Sequence, residues 1–208
     1  MELKVTKMKQ EKLTNQALSE YRSFILGLAL PAGDRAGFIS CFGITREQTR
    51  DKRFTLLDEF ESSDIVKLVE SVKWMIEKFS FRAGTYRGFG DFVFSDTNDT
   101  ALSDLLRQYN MKIQHSPILY GIEEQKPFMT LIPKINQARR NGTIIINEEF
   151  LLSRRLKDEG LQNPAGVRFG DSPAMESLCY AYFGWMELVR RRNQSPPQNH
   201  SPNEYQRV

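Results

Sequence analysis

Three apolar runs, separated by turn chemistry and charge, precede the first helical pattern of the chain, and that order restricts the folds open to it. Phe24-Ile25-Leu26-Gly27-Leu28 reads as a buried strand, Pro31-Ala32-Gly33-Asp34 as a turn, and Ala36 to Ile44 as a second strand. Together they predict a β-hairpin. After a charged loop over 46–52, Phe54 to Phe60 reads as a third strand. Ser63-Asp64 can cap a helix from Ile65 to Phe79, where Ile65, Leu68, Val69, Val72 and Ile76 recur at helical spacing. Strands and helices then alternate. Phe92 to Ser95 is a strand, Ala101 to Tyr109 a short helix and Met111 to Gln114 a strand. A helix from Pro127 to Asn141 has proline in its first turn and stops at Asn141-Gly142. Thr143 to Ile146 is a short strand, Glu148 to Asp158 a helix, and Pro173 to Arg192 a long helix. A meander followed by βα units predicts an α/β fold, a mixed sheet with helices on both faces.

The 208 residues suit one domain with a sizeable core. Residues 1–22, charged and rich in Lys and Gln, read as an N-terminal linker or helix, residues 23–192 as the folded domain. Residues 193–208, rich in Pro, Gln, Asn and Ser, are expected to form a disordered tail. No apolar run approaches the roughly 20 residues of a membrane span, and the N-terminus lacks the apolar core of a signal peptide. An intracellular protein without membrane contact is expected. Cys41 and Cys179 lie in apolar stretches without zinc-ligand spacing and are expected as buried free thiols. His115, at the start of a loop, and His200 are too far apart to suggest a histidine metal site. The net charge of +3 permits nucleic-acid binding without requiring it. The Gly-rich stretch Arg82 to Gly90 lacks a Gly-Lys-Ser/Thr ending, so it reads as a connector rather than a phosphate loop.

Two acids stand out. Asp96 ends the run Phe92-Val93-Phe94-Ser95, and Asp171 opens a helix in Gly170-Asp171-Ser172-Pro173-Ala174. An acid at a strand end and another at a helix start can bring carboxylates from distant sequence to one point, the oxygen cluster that hard divalent cations need. Each also has a plainer role. Asp96 can cap the following helix or close an Asx turn, and Asp171 can be an N-cap. Asp99 and Asp104 are expected to be solvated, and Trp74 and Trp185 to pack in the core. Glu176, one turn beyond Asp171, could reach a metal, but a solvated or hydrogen-bonded position is expected.

The order of the motifs carries a resemblance. The first strand and turn read Ile25-Leu26-Gly27-Leu28-Ala29-Leu30-Pro31-Ala32-Gly33-Asp34-Arg35. The second motif is Phe94-Ser95-Asp96-Thr97-Asn98-Asp99 before Ala101-Leu102-Ser103-Asp104-Leu105-Leu106. Lys126, Asn141-Gly142 and Thr143 to Ile146 come next, and Gly170-Asp171-Ser172-Pro173-Ala174-Met175-Glu176-Ser177-Leu178-Cys179-Tyr180-Ala181 comes last. In this order, over about residues 23 to 189, the chain resembles the C-terminal nuclease domain of the large terminase subunit of tailed bacteriophages. That resemblance implies an RNase H-like fold and a metal-dependent endonuclease that cuts double-stranded phage DNA during genome packaging in the host cytoplasm. It implies two Mg²⁺ or Mn²⁺ ions, a bridging acid from the first strand, and Asp96 and Asp171 as flanking ligands. The position of the bridging aspartate holds Ala29. Ala29 is either an engineered replacement or a natural divergence, with Asp34 standing in as a ligand or with activity lost. DNA phosphates would meet Lys126, Arg139, Arg140, Arg154 and Arg155. The resemblance further implies a packaging ATPase domain on the N-terminal side, and the portal or capsid and the small terminase subunit as partners. A non-catalytic RNase H-like module that binds DNA or a motor partner, and a resolvase- or integrase-type nuclease, are the rival readings.

Overall fold

The structure, a computed structural model, describes residues 19–45, 53–83, 90–115, 125–158 and 172–194, without the side chains of 125–130, 158 and 191–194. Among them are six strands: β1 (Tyr21–Ala29), β2 (Gly37–Thr45), β3 (Phe54–Ser62), β4 (Phe92–Ser95), β5 (Ile113–His115) and β6 (Ile144–Ile145). There are five helices: α1 (Ile65–Lys78), α2 (Thr100–Gln108), α3 (Gln125–Arg140), α4 (Leu151–Asp158) and α5 (Pro173–Gln194). The strands form one sheet in the order β5-β4-β1-β2-β3-β6. The β1–β2 and β2–β3 pairs are antiparallel; β4 runs parallel to β1, β5 to β4, and β6 to β3. The expected mixed sheet is therefore present, and it has the layout of an RNase H-like domain.

Alternation along β1 divides the interior in two. Phe24, Leu26 and Leu28 join one apolar cluster with Leu68 and Val72 of α1 and Leu102 and Leu106 of α2. Ile25 and Ala29 point the other way, into a cluster with Ile132 and Ile135 of α3, Leu152 of α4 and Leu178 of α5. A strand covered on both faces must be apolar at successive positions, which is why β1 reads as an unbroken apolar run. Both cysteines are free and buried. Burial pushes both thiols well above their usual range, which leaves them unreactive.

Several boundaries move from their predicted positions. β1 begins at Tyr21, inside the segment read as linker, and β5 takes in His115, read as loop. α4 begins at Leu151, not at Glu148, because the Glu59 carboxylate of β3 accepts the N–H groups of Leu151 and Leu152 there, the latter at 2.8 Å. A carboxylate at a helix N-terminus meets donors that have no partner within the helix. α5 continues to Gln194, past the expected domain end. Residues 1–18, most of the Gly-rich connector (84–89) and the tail from 195 lie outside the described residues.

At the opposite end of the sheet from the β1–β2 turn, Asp91 joins two chain segments. Its carboxylate accepts the Phe24 N–H at 2.7 Å and the Arg82 N–H at 2.6 Å, and the residue is 2 % exposed. Burial pushes its pKa up to about 6, against the opposing pull of those two N–H groups and the Arg82 charge. Folding raises the pKa of this acid, so its contribution to stability is full below the ordinary carboxylate range and is lost as pH rises through about 6. Between pH 4 and 7 the wild type should lose on the order of 2 kcal/mol relative to Asp91→Asn, whose amide does not titrate. Urea midpoints of both chains at each pH measure this, and parallel pH curves would refute it.

Candidate functional site

The site is set by where β1 and β4 end together. Their parallel register pairs Ile25 with Phe92, Leu26 with Val93 and Gly27 with Phe94. The Ser95 hydroxyl donates to the Leu28 carbonyl at 2.7 Å and extends the association by one residue. Continuing the register puts Ala29 and Asp96 side by side at the carboxyl ends of adjacent strands. By the two-residue period, both belong to the sheet face that carries Ile25, Phe92 and Phe94, the face covered by α5.

α5 lies unusually close to that face. A Cβ on Gly27 would come within 1.9 Å of the Ser177 carbonyl oxygen, and a Cβ on Gly184 within 2.3 Å of the Phe94 ring. The Ser177 hydroxyl donates to the Gly27 carbonyl at 2.9 Å and shares a 2.6 Å hydrogen bond with the Ser40 hydroxyl of β2. Ala174, Ser177, Ala181 and Gly184 form the small-residue stripe along this contact, all of them buried. On the adjoining stripe Glu176 and Tyr180, one turn apart, point toward the ends of β1 and β4. Tyr180 interacts with Asp96. Burial, reinforced by the Asp96 carboxylate, holds its phenol far above the ordinary range, so it remains a neutral proton donor beside that acid.

The plainer roles foreseen for the two expected acids fall to their neighbours. The N-cap of α2 is Asp99, whose Oδ1 accepts the Leu102 N–H at 2.8 Å, so Asp99 is a half-buried cap and not a solvated acid. Asp96, exposed, is left to face the cleft. The cap of α5 is Ser172, whose hydroxyl accepts the Met175 N–H at 3.1 Å. Asp171 itself lies outside the described residues.

Asp96 and Glu176 line one cleft of about 320 Å³, closed by Leu30, Pro31, Ala32 and Arg35 of the β1–β2 connection, by Thr97 and by Pro173. The Glu176 side chain is 13 % exposed, and its Oε1 lies 3.9 Å from Arg35 Nη1. Ala29 is fully buried, paired across β2 with Phe38. Asp34 is exposed on a turn in which Ala32 and Arg35 exchange backbone hydrogen bonds, and it is not among the residues lining the cleft. Among the basic candidates, Arg155 donates from Nη2 to both carboxylate oxygens of Glu61, at 2.9 and 3.0 Å. Arg139 is half-buried, while Arg140 and Arg154 are exposed. The side chain of Lys126 lies outside the described residues. Trp185 packs as expected, stacked on Phe54 with ring centroids 5.2 Å apart.

Glu176, expected at a solvated or hydrogen-bonded position, is largely buried and engaged with Arg35 in this cleft. The small-residue stripe beside it was the available signal, because small residues at three- and four-residue spacing mark the face where a helix comes close to its neighbour. Among the described residues no group of three or more metal-ligating side chains comes together. Among the described residues, Asp96 and Glu176 are the carboxylates that line the cleft, and carboxylate oxygen is the donor type that hard divalent cations take.

Three solved structures are similar to this one over most of the chain. The nuclease domain of the g2p large terminase of bacteriophage SPP1, with bound Mn, is similar at a TM-score of 0.52 and 13 % identity, over 83 % of this chain and 92 % of that one. The large terminase nuclease of thermophilic phage G20c gives a TM-score of 0.49 at 13 % identity, over 78 % of this chain and 84 % of that one. The Fowlpox virus resolvase, in complex with Holliday junction DNA, gives 0.42 at 11 % identity, over 80 % of this chain and 98 % of that one. No family model matches the sequence, and no curated protein does. The chain thus has the RNase H-like fold of a phage large terminase nuclease domain.

Proposed function

We propose that the chain is the nuclease domain of a phage large terminase, a metal-dependent endonuclease for double-stranded DNA during packaging, whose cleavage is impaired by Ala29. One observation carries this reading: Asp96 and Glu176, 80 positions apart in sequence, line one cleft at the ends of β1 and β4; the β1–β4 register, continued two residues, brings Ala29 beside Asp96. Phosphodiester hydrolysis needs an activated water and neutralisation of developing negative charge. Bound Mg²⁺ or Mn²⁺ would supply both. Asp96 and Glu176 would hold the ion, with Asp171 as a further ligand implied by the resemblance, and Tyr180 would orient the Asp96 carboxylate through its hydroxyl. The similar SPP1 domain was solved with bound Mn, which supports the choice of ion. The resemblance implies two ions; with Ala29 in place, the described carboxylates suit one.

DNA would be held mainly through its phosphates, with Arg140 and Arg154 the exposed described candidates. The remaining partners of this reading are the packaging ATPase domain, the small terminase subunit and the portal or capsid, with the host cytoplasm as the setting. Among the described residues, no helix is long and apolar enough to cross a membrane. Ala29 also favours a second reading, a non-catalytic module that keeps the fold to bind DNA or the motor.

The test is Mn²⁺-dependent plasmid cleavage by this chain beside Ala29→Asp, with Mn²⁺ binding measured on both. Cleavage confined to Ala29→Asp, and lost again when Asp96→Asn is added, supports the nuclease reading. Mn²⁺ binding without cleavage in either chain would favour the non-catalytic module. No Mn²⁺ bound by either at millimolar concentration would refute the site.

A further inference from the structure

Among the described residues that line this cleft, Arg35 is the cation. Its backbone is fixed by the reciprocal hydrogen bonds with Ala32, at 3.1 and 3.3 Å, while its side chain remains 42 % exposed. The root of the side chain is held and its tip can move. The guanidinium lies 3.9 Å from the Glu176 carboxylate, beyond hydrogen-bond reach, so the contact is Coulombic and readily exchanged. Asp96 lines the same cleft. A guanidinium beside a carboxylate that would bind a divalent ion competes with that ion. The same planar fork matches a phosphate oxygen pair better than it matches a single carboxylate oxygen at this distance.

We propose that Arg35 is a charge gate. In the absence of DNA it neutralises Glu176 in place of a divalent cation; when DNA enters the cleft it turns to a backbone phosphate and leaves Glu176 to the ion. This inference rests on the reading of Asp96 and Glu176 as ion ligands. It assigns Arg35 opposite effects on two binding steps, and a merely structural turn residue would have neither.

The experiment compares the wild type with Arg35→Ala, Arg35→Lys and Lys67→Ala. Lys67 is exposed on α1, which covers the other face of the sheet, so its removal subtracts the same charge away from the cleft. Mn²⁺ alone is titrated by calorimetry, and a short duplex DNA is titrated in EDTA at several salt concentrations. Arg35→Ala should bind Mn²⁺ about threefold to fivefold more tightly, the size expected for removing a partly exposed charge. It should bind DNA more weakly, with the slope of log affinity against log salt reduced by about one. Arg35→Lys, which keeps the charge and loses the fork, should leave Mn²⁺ affinity near wild type and still weaken DNA binding. Unchanged Mn²⁺ affinity in Arg35→Ala, an unchanged salt slope, or an equal gain in Mn²⁺ affinity in Lys67→Ala would overturn the gate while leaving the ion site standing. Failure of every chain to bind Mn²⁺ would remove the site itself and the gate with it. Urea midpoints of the four chains verify that each is folded.

Discussion

Ala29→Asp should raise Mn²⁺-dependent plasmid cleavage by at least about a hundredfold, the scale on which removing one well-placed electrostatic group alters an enzymatic rate. At the end of β1, continuing register puts residue 29 beside Asp96 on the face covered by α5. An aspartate there would give the cleft a third carboxylate next to Asp96 and Glu176. The same position makes the substitution costly in the absence of metal. Ala29 is fully buried in an apolar cluster that includes Phe38 and Ala174. A carboxylate in that place loses its hydration and faces like charge, so the variant should be about 2–3 kcal/mol less stable than the wild type in EDTA. Its carboxyl pKa would be raised by folding, so the loss should deepen as pH climbs above the ordinary carboxylate range. Saturating Mn²⁺ should restore much of the difference, because an ion that binds only the folded chain stabilises it by mass action. Urea midpoints in EDTA and in Mn²⁺, read beside the cleavage assay, measure both effects. An Ala29→Asp chain as stable in EDTA as the wild type, and as inactive, would contradict the placement of residue 29 at an ion site.

Gly27→Ala is expected to be the most damaging single methyl group that can be added to the sheet. The new Cβ would meet the Ser177 carbonyl at 1.9 Å and the Ala181 nitrogen at 2.9 Å, both backbone atoms of α5 that no rotamer change can move aside. The helix must lift off β1, which breaks the Ser177–Gly27 hydrogen bond and opens the cluster beneath α5. A loss of about 3 kcal/mol or more follows, at the upper end of overpacking costs. Trp185, stacked on Phe54, gives a local readout, since its emission should shift as the helix moves. An unchanged urea midpoint with unchanged Trp185 emission would mean that α5 does not approach β1 this closely.

The sheet was legible because its pattern is local. The unbroken apolar run of β1, the Gly33 turn and the helical spacing of Leu68, Val72 and Ile76 each follow from a few neighbouring residues. Asp64 was readable as a cap for the same reason, and it accepts the Val66 N–H at 2.9 Å. What escaped depends on partners far away in sequence. The start of α4 is set by Glu59, more than ninety positions upstream of the N–H groups it accepts. Two acids within four residues, Asp96 and Asp99, look alike as caps, and only the way Ser95 ties the chain to Leu28 decides which of them turns back to the helix. Ser172 competes with Asp171 in the same manner. That Glu176 faces the cleft was not legible, because the side of a helix that meets a cleft depends on where the helix crosses the sheet. That crossing is written in two glycines, Gly27 on a strand and Gly184 on the helix, which no local pattern connects.

If the proposed ion site holds, the hydroxyl chain from Ser40 through Ser177 to the Gly27 carbonyl would lower the entropic cost of ion capture. A helix seated only on apolar side chains can rock about its axis, since such contacts have no direction. Directional bonds at one point, with a backbone-to-backbone fit at Gly27 and a ring-to-backbone fit at Gly184, leave α5 little freedom to turn. Turning by a single residue would swing Glu176 through about 100° and out of the cleft. The seat of Glu176 above the ends of β1 and β4 is thereby set by main chain, and on the proposed reading a cation would have little more than side-chain tips to order. Most of the organisation that ion binding would otherwise have to impose is already present in the fold.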